Sequence, residues 1–246
     1  MKKVALITGA TAGIGLATAL ELGRAGYQIV ISGIVDEQGA EALELLAKEN
    51  IEAEYIRTDA TNEEEVNALV KQVGEKYGKI DALINNVGGL GGRMRFEEMT
   101  TEFYRKVLAL NLDSVFYASR AAIPYLKKAE NASIINYASV ASYNAGGPGA
   151  GIYGTSKGAV LTLTRALAKD LAEYGIRVNA VSPGTIDTAF HSATKREILD
   201  SWKEGILMKR LGEPSEVATV IEFLVSDKAS FLTGEVIQIN GGQDFR

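Results

Sequence analysis

The chain has 246 residues with 31 acidic and 26 basic side chains, a net charge of −5 with histidine neutral, no cysteine and one histidine, His191. These counts exclude a disulfide framework, a cysteine nucleophile and any cysteine-ligated or multi-histidine metal centre within one chain, so no metal is expected, and a Ser-His-Asp triad could draw only on His191. The acidic balance without a basic block argues against a nucleic-acid partner. The apolar stretch after Lys2 and Lys3 is interrupted by Thr8, Gly9, Thr11 and Gly13. It is too short and too polar for a signal peptide or a membrane span, and a cytoplasmic protein is expected.

Short β-branched runs alternate with longer amphipathic stretches. The pattern predicts strands at Val4–Thr8, Gln28–Ser32, Ala53–Arg57, Ile80–Asn85, Ser133–Ala138, Arg177–Ser182 and Glu235–Ile239. Between them it predicts helices over Ile14–Ala25, Asp36–Lys48, Thr61–Tyr77, Thr101–Lys128, Tyr153–Tyr174 and Pro214–Leu224. Thr61 and Glu64 resemble a capping box, and Pro214 suits a first helical turn. Such alternation implies an α/β fold, a parallel sheet with helices on both faces, read as one domain over residues 1–246. The stretch Thr185–Lys209 has no strand signal and weak helical signal. The segment 185–210 is read as a substrate lid within the domain, the alternative being a surface helix pair without a role.

Thr8-Gly9-Ala10-Thr11-Ala12-Gly13-Ile14-Gly15 joins the first strand to the first helix. Glycines there permit positive φ and let a pyrophosphate approach the backbone N–H groups of a helix N-terminus. Asp59 follows the third strand, where it could bond an adenine or merely cap a helix. Asn85-Asn86-Val87-Gly88 ends the fourth strand, at the expected switch point of the sheet, and suits a wall beside a ribose. Tyr153 and Lys157 lie four positions apart and share a helix face. An ammonium beside a phenol favours the phenolate, so the pair is a plausible proton donor and acceptor. Ser139, after the fifth strand, could hold a substrate oxygen.

With these residues assembled, the chain resembles the short-chain dehydrogenase/reductase family over essentially its whole length. The likeness runs through Thr8–Gly15, Asn85–Gly88, Asn111, Ser139, Tyr153 and Lys157. It continues in Pro183-Gly184-Thr185-Ile186-Asp187-Thr188, Arg210-Leu211-Gly212-Glu213-Pro214, Leu232-Thr233-Gly234 and Asn240-Gly241-Gly242. The resemblance implies a Rossmann-like doubly wound sheet of seven strands, a nicotinamide cofactor and interconversion of a carbonyl and an alcohol. It also implies a tetrad. Tyr153 exchanges the proton, Ser139 orients the oxygen, Lys157 binds the nicotinamide ribose and lowers the tyrosine pKa, and Asn111 kinks its helix and holds a relay water. Cofactor contacts are expected from Gly9, Thr11, Gly13, Ile14, Gly15, Ile34, Asp59, Ala60, Asn86, Gly88, Ile186 and Thr188. A homotetramer is expected, with Thr101–Lys128 and Tyr153–Tyr174 forming one interface.

Three departures from the family pattern matter. Val87 replaces the usual alanine. Ser139 and Tyr153 are 14 positions apart, one more than the commonest spacing, with the extra residue in Ala145–Gly151. Neither cofactor signature is present: Ala12 and Ile34 stand where NADP-preferring members often carry a base, and Gly33 where NAD-preferring members often carry aspartate. Asp36 and Glu37 would repel a 2′-phosphate, so NAD(H) is favoured and NADP(H) is the alternative.

The family's 3-oxoacyl-(acyl-carrier-protein) reductases commonly dock their acidic carrier with arginines. The matching positions here are Glu130, Ser133 and Tyr174. Arg93 and Arg95, in a stretch without acids, and His191, Lys195 and Arg196 in the lid favour an anionic substrate instead. With Asn144 they suggest a keto-sugar or ketouronate as the small-molecule partner, the alternative being a solvated rim. Carrier-protein-linked oxoacyl reduction and a dinucleotide-binding sensor without turnover are the rival functions.

Overall fold

The computed structural model describes residues 2–191, 194 and 196–245. Its strands are β1 (Val4–Ile7), β2 (Gln28–Gly33), β3 (Ala53–Arg57), β4 (Ala82–Asn85), β5 (Ser133–Tyr137), β6 (Arg177–Pro183) and β7 (Val236–Ile239). The helices are α1 (Gly13–Arg24), α2 (Asp36–Lys48), α3 (Glu63–Tyr77), α4 (Thr101–Leu108), α5 (Ser114–Leu126), α6 (Ala141–Asn144), α7 (Gly151–Leu171), α8 (Arg196–Gly205) and α9 (Pro214–Val225).

All seven strands pair in parallel, in the order β3-β2-β1-β4-β5-β6-β7. Successive strand side chains point to opposite faces, and both faces are buried, which is why the strands read as unbroken apolar runs. Ala5, Ile7, Ile29, Ile31 and Ile84 pack with Leu22, Leu46, Val217 and Ile221 of α1, α2 and α9. Leu6, Val30, Leu83 and Ile134 pack on the other face with Leu69, Ala122 and Leu171 of α3, α5 and α7. The chain order reverses between β1 and β4, so the crevice at their carboxyl ends is the ligand position of such sheets.

The structure corrects several local expectations. The cap of α3 is Asn62, whose Oδ1 accepts from the N–H groups of Glu64 (3.0 Å) and Glu65 (3.3 Å). Thr61 instead turns back on Asp59, donating to its carboxylate from both N–H (2.8 Å) and hydroxyl (2.7 Å). The single helix expected over Thr101–Lys128 is broken by a π-helical turn at Ala109–Asp113. Ala145, at φ 61°, ends α6 in the left-handed region, and Gly146 and Gly149, also at positive φ, carry the loop on to α7. The segment 185–210 has more helix than its pattern suggests: Ala189–His191 forms a 3-10 turn and α8 follows. No helix among the described residues is long and apolar enough to cross a membrane.

Candidate active site

The first glycine turn sits at the carboxyl ends of β1 and β4. Gly9 and Gly13 hold φ of 63° and 56°, where a side chain would be strained. Gly15 lies in the first turn of α1. A Cβ on it would stand 2.6 Å from Asn86 Nδ2, 2.7 Å from Ala10 Cα and 2.8 Å from the Gly9 oxygen. Asn86 closes the turn by donating to the carbonyls of Thr8 (3.1 Å) and Gly9 (2.7 Å). Thus Asn86 fastens the cradle through its amide rather than offering that amide to a ribose. The N-cap of α1, Ala12, has no side chain to satisfy the first N–H groups of the helix. A narrow, Cβ-free turn ahead of such a helix start fits a pyrophosphate.

Opposite this turn, Gly88 is wedged between two candidate side chains. A Cβ there would lie 2.7 Å from Lys157 Nζ and 2.9 Å from Asn111 Oδ1. Asn111 is fully buried in the π turn. Its Nδ2 donates to the Gly89 (2.8 Å) and Val107 (3.0 Å) carbonyls, and its Oδ1 accepts from the Gly89 N–H (3.0 Å). The insertion into the helix is therefore tied to the loop after β4. Lys157, from α7, donates to the Tyr137 carbonyl (2.8 Å), and burial pulls its amine down to about 8.

Tyr153, one helical turn earlier, is hydrogen-bonded to the Ser139 hydroxyl. Ser139 is held in turn by the Ala141 N–H, which donates to its Oγ at 3.1 Å. Burial raises the Tyr153 phenol and the Ser139 bond lowers it, with burial prevailing. The net direction is opposite to the expectation that Lys157 would lower it, because desolvation of the phenolate outweighs the hydrogen bond.

At the adenosine end, Ile34 is exposed just beyond β2, and Ala60 is buried behind Asp59. The Asp59 carboxylate is engaged by Thr61, so this side chain builds a turn. Thr11 packs its methyl over Gly33, 2.8 Å from where a Cβ would be. Ile14 packs against the core beneath. At the other end, buried Ile186 bridges to Gly212. The Thr188 methyl lies 3.5 Å from the Cβ position of Gly13, which brings the start of segment 185–210 over the glycine turn.

Residues 9–244 match the family described as enoyl-(acyl carrier protein) reductase. The chain belongs to the short-chain dehydrogenase/reductase family. It is an NAD(P)-dependent oxidoreductase acting on CH–OH groups. It is 38% identical over 244 residues to a 3-oxoacyl-(acyl-carrier-protein) reductase of Thermotoga maritima, covering 98% of this chain and 97% of the relative. An NADH-dependent reductase responsible for alginate metabolism superposes with a TM-score of 0.92 at 34% identity, covering 100% of this chain and 98% of the other. A short-chain dehydrogenase from Burkholderia cenocepacia in complex with NADP superposes with a TM-score of 0.91 at 28% identity, covering 98% and 97%.

Among the described residues singled out for substrate in this short-chain dehydrogenase/reductase, Arg93 and Asn144 bond to the loop before α7. Arg93 Nη1 donates to the Pro148 carbonyl (3.1 Å), and the Met94 N–H donates to the Gly149 carbonyl (3.0 Å). Asn144 Oδ1 accepts from the Gly146 N–H (2.9 Å). Arg93 and Asn144 therefore also tie the loop before α7, a task their reading as substrate ligands did not include. Arg95 is exposed, and Arg196 pairs with Asp200 at 3.7 Å. His191 ends the 3-10 turn; its side chain, and Lys195, lie outside the described residues. One contact was missed in the sequence. The Phe190 ring, from segment 185–210, packs 6.4 Å from the Tyr153 ring at 47°. An aromatic residue just after the Ile186–Thr188 motif was its only signal.

Proposed function

We propose that this oxidoreductase interconverts a carbonyl and a secondary alcohol with Tyr153 as the acid–base group, on a small polar or anionic keto-sugar or ketouronate, and that it prefers NADH to NADPH. The observation that carries the reading is the Ser139–Tyr153 hydrogen bond beside the cluster of Gly88, Lys157 and Asn111. The cofactor, when bound, supplies or accepts the hydride. Tyr153 gives its proton to the carbonyl oxygen in reduction and takes it back in oxidation. Ser139 orients that oxygen. The Lys157 ammonium stabilises the phenolate left after proton loss and binds a ribose hydroxyl. Asn111 fixes Gly88 and Gly89 and lines a proton exit.

Gly9, Thr11, Gly13, Ile14 and Gly15 would hold the pyrophosphate and adenosine ribose, with Asn86 bracing them. Ile34, Asp59 and Ala60 would flank the adenine, and Gly88, Ile186 and Thr188 the nicotinamide. Phe190 makes segment 185–210 an apolar lid over the phenol. The NADH preference is supported by the exposed acids Asp36 and Glu37 beside a β2 end without a base. The NADH-dependent alginate enzyme supports both the cofactor and the sugar-acid reading.

The test pairs Tyr153→Phe with a substrate panel of ketouronates, keto-sugars, 3-oxoacyl thioesters and cyclic ketones. Turnover should fall by about 10²–10⁴-fold while NADH still binds; retained turnover overturns the acid–base assignment. A higher kcat/KM for 3-oxoacyl thioesters would favour a second reading, reduction of carrier-protein-linked 3-oxoacyl chains. That reading is favoured by the Thermotoga maritima relative and by exposed Lys127, which stands 3.3 Å above the Tyr174 ring, where an acidic carrier could dock. We also propose a homotetramer through α4, α5 and α7, which would cover Tyr104 and Phe116; sedimentation as a monomer would refute it.

A further inference from the structure

β2 ends without an acid, and the packing explains why. A Cβ at Gly33 would meet the Thr11 methyl at 2.8 Å, so a side chain there would have to displace Thr11. The nearest acid lies in the first turn of α2: Asp36, 21 positions after Gly15. An acid at about that distance from the glycine turn is placed to accept from a ribose 2′-OH. This turn of α2 is exposed, and its N-cap residue, Val35, offers no capping side chain.

What holds it is Tyr55, reaching across from β3. Its hydroxyl donates to the Gly33 carbonyl at 3.0 Å and is within hydrogen-bonding reach of the Asp36 carboxylate. The same carbonyl accepts from the Thr58 N–H at 2.8 Å on its other lone pair, so the phenol is fixed at the end of β2 with its oxygen beside Asp36. The ring passes so close to α2 that a Cβ on Gly39 would lie 2.6 Å from three of its carbons. Gly39 is therefore the gap through which Tyr55 reaches Asp36. Thr11, over Gly33, also donates to Gln38 at 3.4 Å, linking the glycine turn to the same helix start. A cation lies close by: Arg57, paired across the sheet with Gly33 and held by Glu65 at 3.7 Å.

We propose that Tyr55 is a positioning residue for cofactor choice: packed on Gly39 and bonded to the Gly33 carbonyl, it holds the first turn of α2 against the end of β2, where the Asp36 carboxylate accepts a ribose 2′-OH and repels a 2′-phosphate. The inference rests on the NADH preference proposed above. Without the phenol, the first turn of α2 loses its tie to the end of β2 and Asp36 is no longer held there, with the Arg57 cation on the neighbouring strand.

The test measures Kd by fluorescence titration, and kcat/KM, for NADH and NADPH in the wild type, Tyr55→Phe, Gly39→Ala and Asp36→Asn. Losing the hydroxyl that ties the two elements should move the NADPH/NADH ratio about three- to tenfold towards NADPH in Tyr55→Phe. Gly39→Ala, which displaces the ring with every hydroxyl intact, should move it the same way, and serves if the phenylalanine variant folds poorly. A purely structural role would weaken both cofactors equally, and an unchanged ratio overturns the inference. A ratio that shifts in Asp36→Asn but not in the Tyr55 and Gly39 variants leaves the NADH reading standing and removes Tyr55 from it. A wild type that prefers NADPH overturns the NADH reading and this inference together.

Discussion

The Lys157 ammonium donates a hydrogen bond of 2.8 Å to the Tyr137 carbonyl at the end of β5. One neutral acceptor does not replace the lost hydration, and burial lowers the amine from 10.5 to about 8. Between those two values the unfolded chain keeps a proton that the folded chain has released, so stability owed to this group rises with pH from about 8 to 10.5. Below about 8 both states are protonated and the contribution is flat. Urea melts should therefore show the wild type gaining on Lys157→Met across that window, by up to about 1.4 kcal/mol per pH unit. A pH-independent difference would mean that the amine titrates as an ordinary lysine.

Gly15 and Gly205 form a matched pair. A Cβ on Gly15 would strike Asn86, Ala10 and the Gly9 carbonyl, whereas one on Gly205 meets nothing within 4 Å. Gly15→Ala should cost about 1–3 kcal/mol through overpacking and weaken NADH binding, because the turn must open to relieve it. Gly205→Ala should be neutral or slightly stabilising. Calorimetry and cofactor titration check both, and equal behaviour would show that the cradle is not built on close approach.

The loop before α7 separates two arginines that look alike in the sequence. Both are exposed, but Arg93 is bonded to the Pro148 carbonyl across the loop. Arg93→Ala should loosen the loop that leads into Tyr153 and impair reduction of neutral and anionic carbonyl compounds alike. Arg95→Ala should raise KM for anionic substrates alone, by a few-fold, as befits an exposed charge. If Arg93→Ala affects anionic substrates selectively, the Pro148 bond is not its main task.

These cases mark how far the sequence could be read. Buried parallel strands advertise themselves as apolar runs, and the expected bounds of α2 and β3 coincide with those observed. The glycine turn, Asn111, Ser139, Tyr153 and Lys157 could be named as candidates because motif and position agreed. The kink expected at Asn111 is a π turn, a form the pattern did not show because one extra residue hardly disturbs the periodicity of a long helix. Asn62 displaced Thr61 as a cap because both residue types can cap and only the chain direction decides between them. The loop contacts of Arg93 and Asn144 were hidden for a further reason. Charge and polarity reveal a capacity to bond, but not that a backbone carbonyl or N–H across the loop would claim it.

The C-terminal tail supplies the last test. Gln243 Oε1 accepts from the Thr185 N–H (2.9 Å) and hydroxyl (3.2 Å) at the root of the proposed lid. The Met208 N–H, at its far end, donates to the Gly241 carbonyl (3.1 Å), and Gly212 pairs with Thr185 and Asp187 between them. Both ends of segment 185–210 thus rest on the same few residues of the tail. Gln243→Ala strands the buried Thr185 N–H, which should cost about 1–3 kcal/mol and raise KM for cofactor as Ile186 and Thr188 lose their register. Gln243→Glu keeps the acceptor oxygen and should recover most of both losses. If alanine and glutamate prove equally damaging, the amide's own protons matter more than the acceptor, and the tail does not set the lid through Thr185.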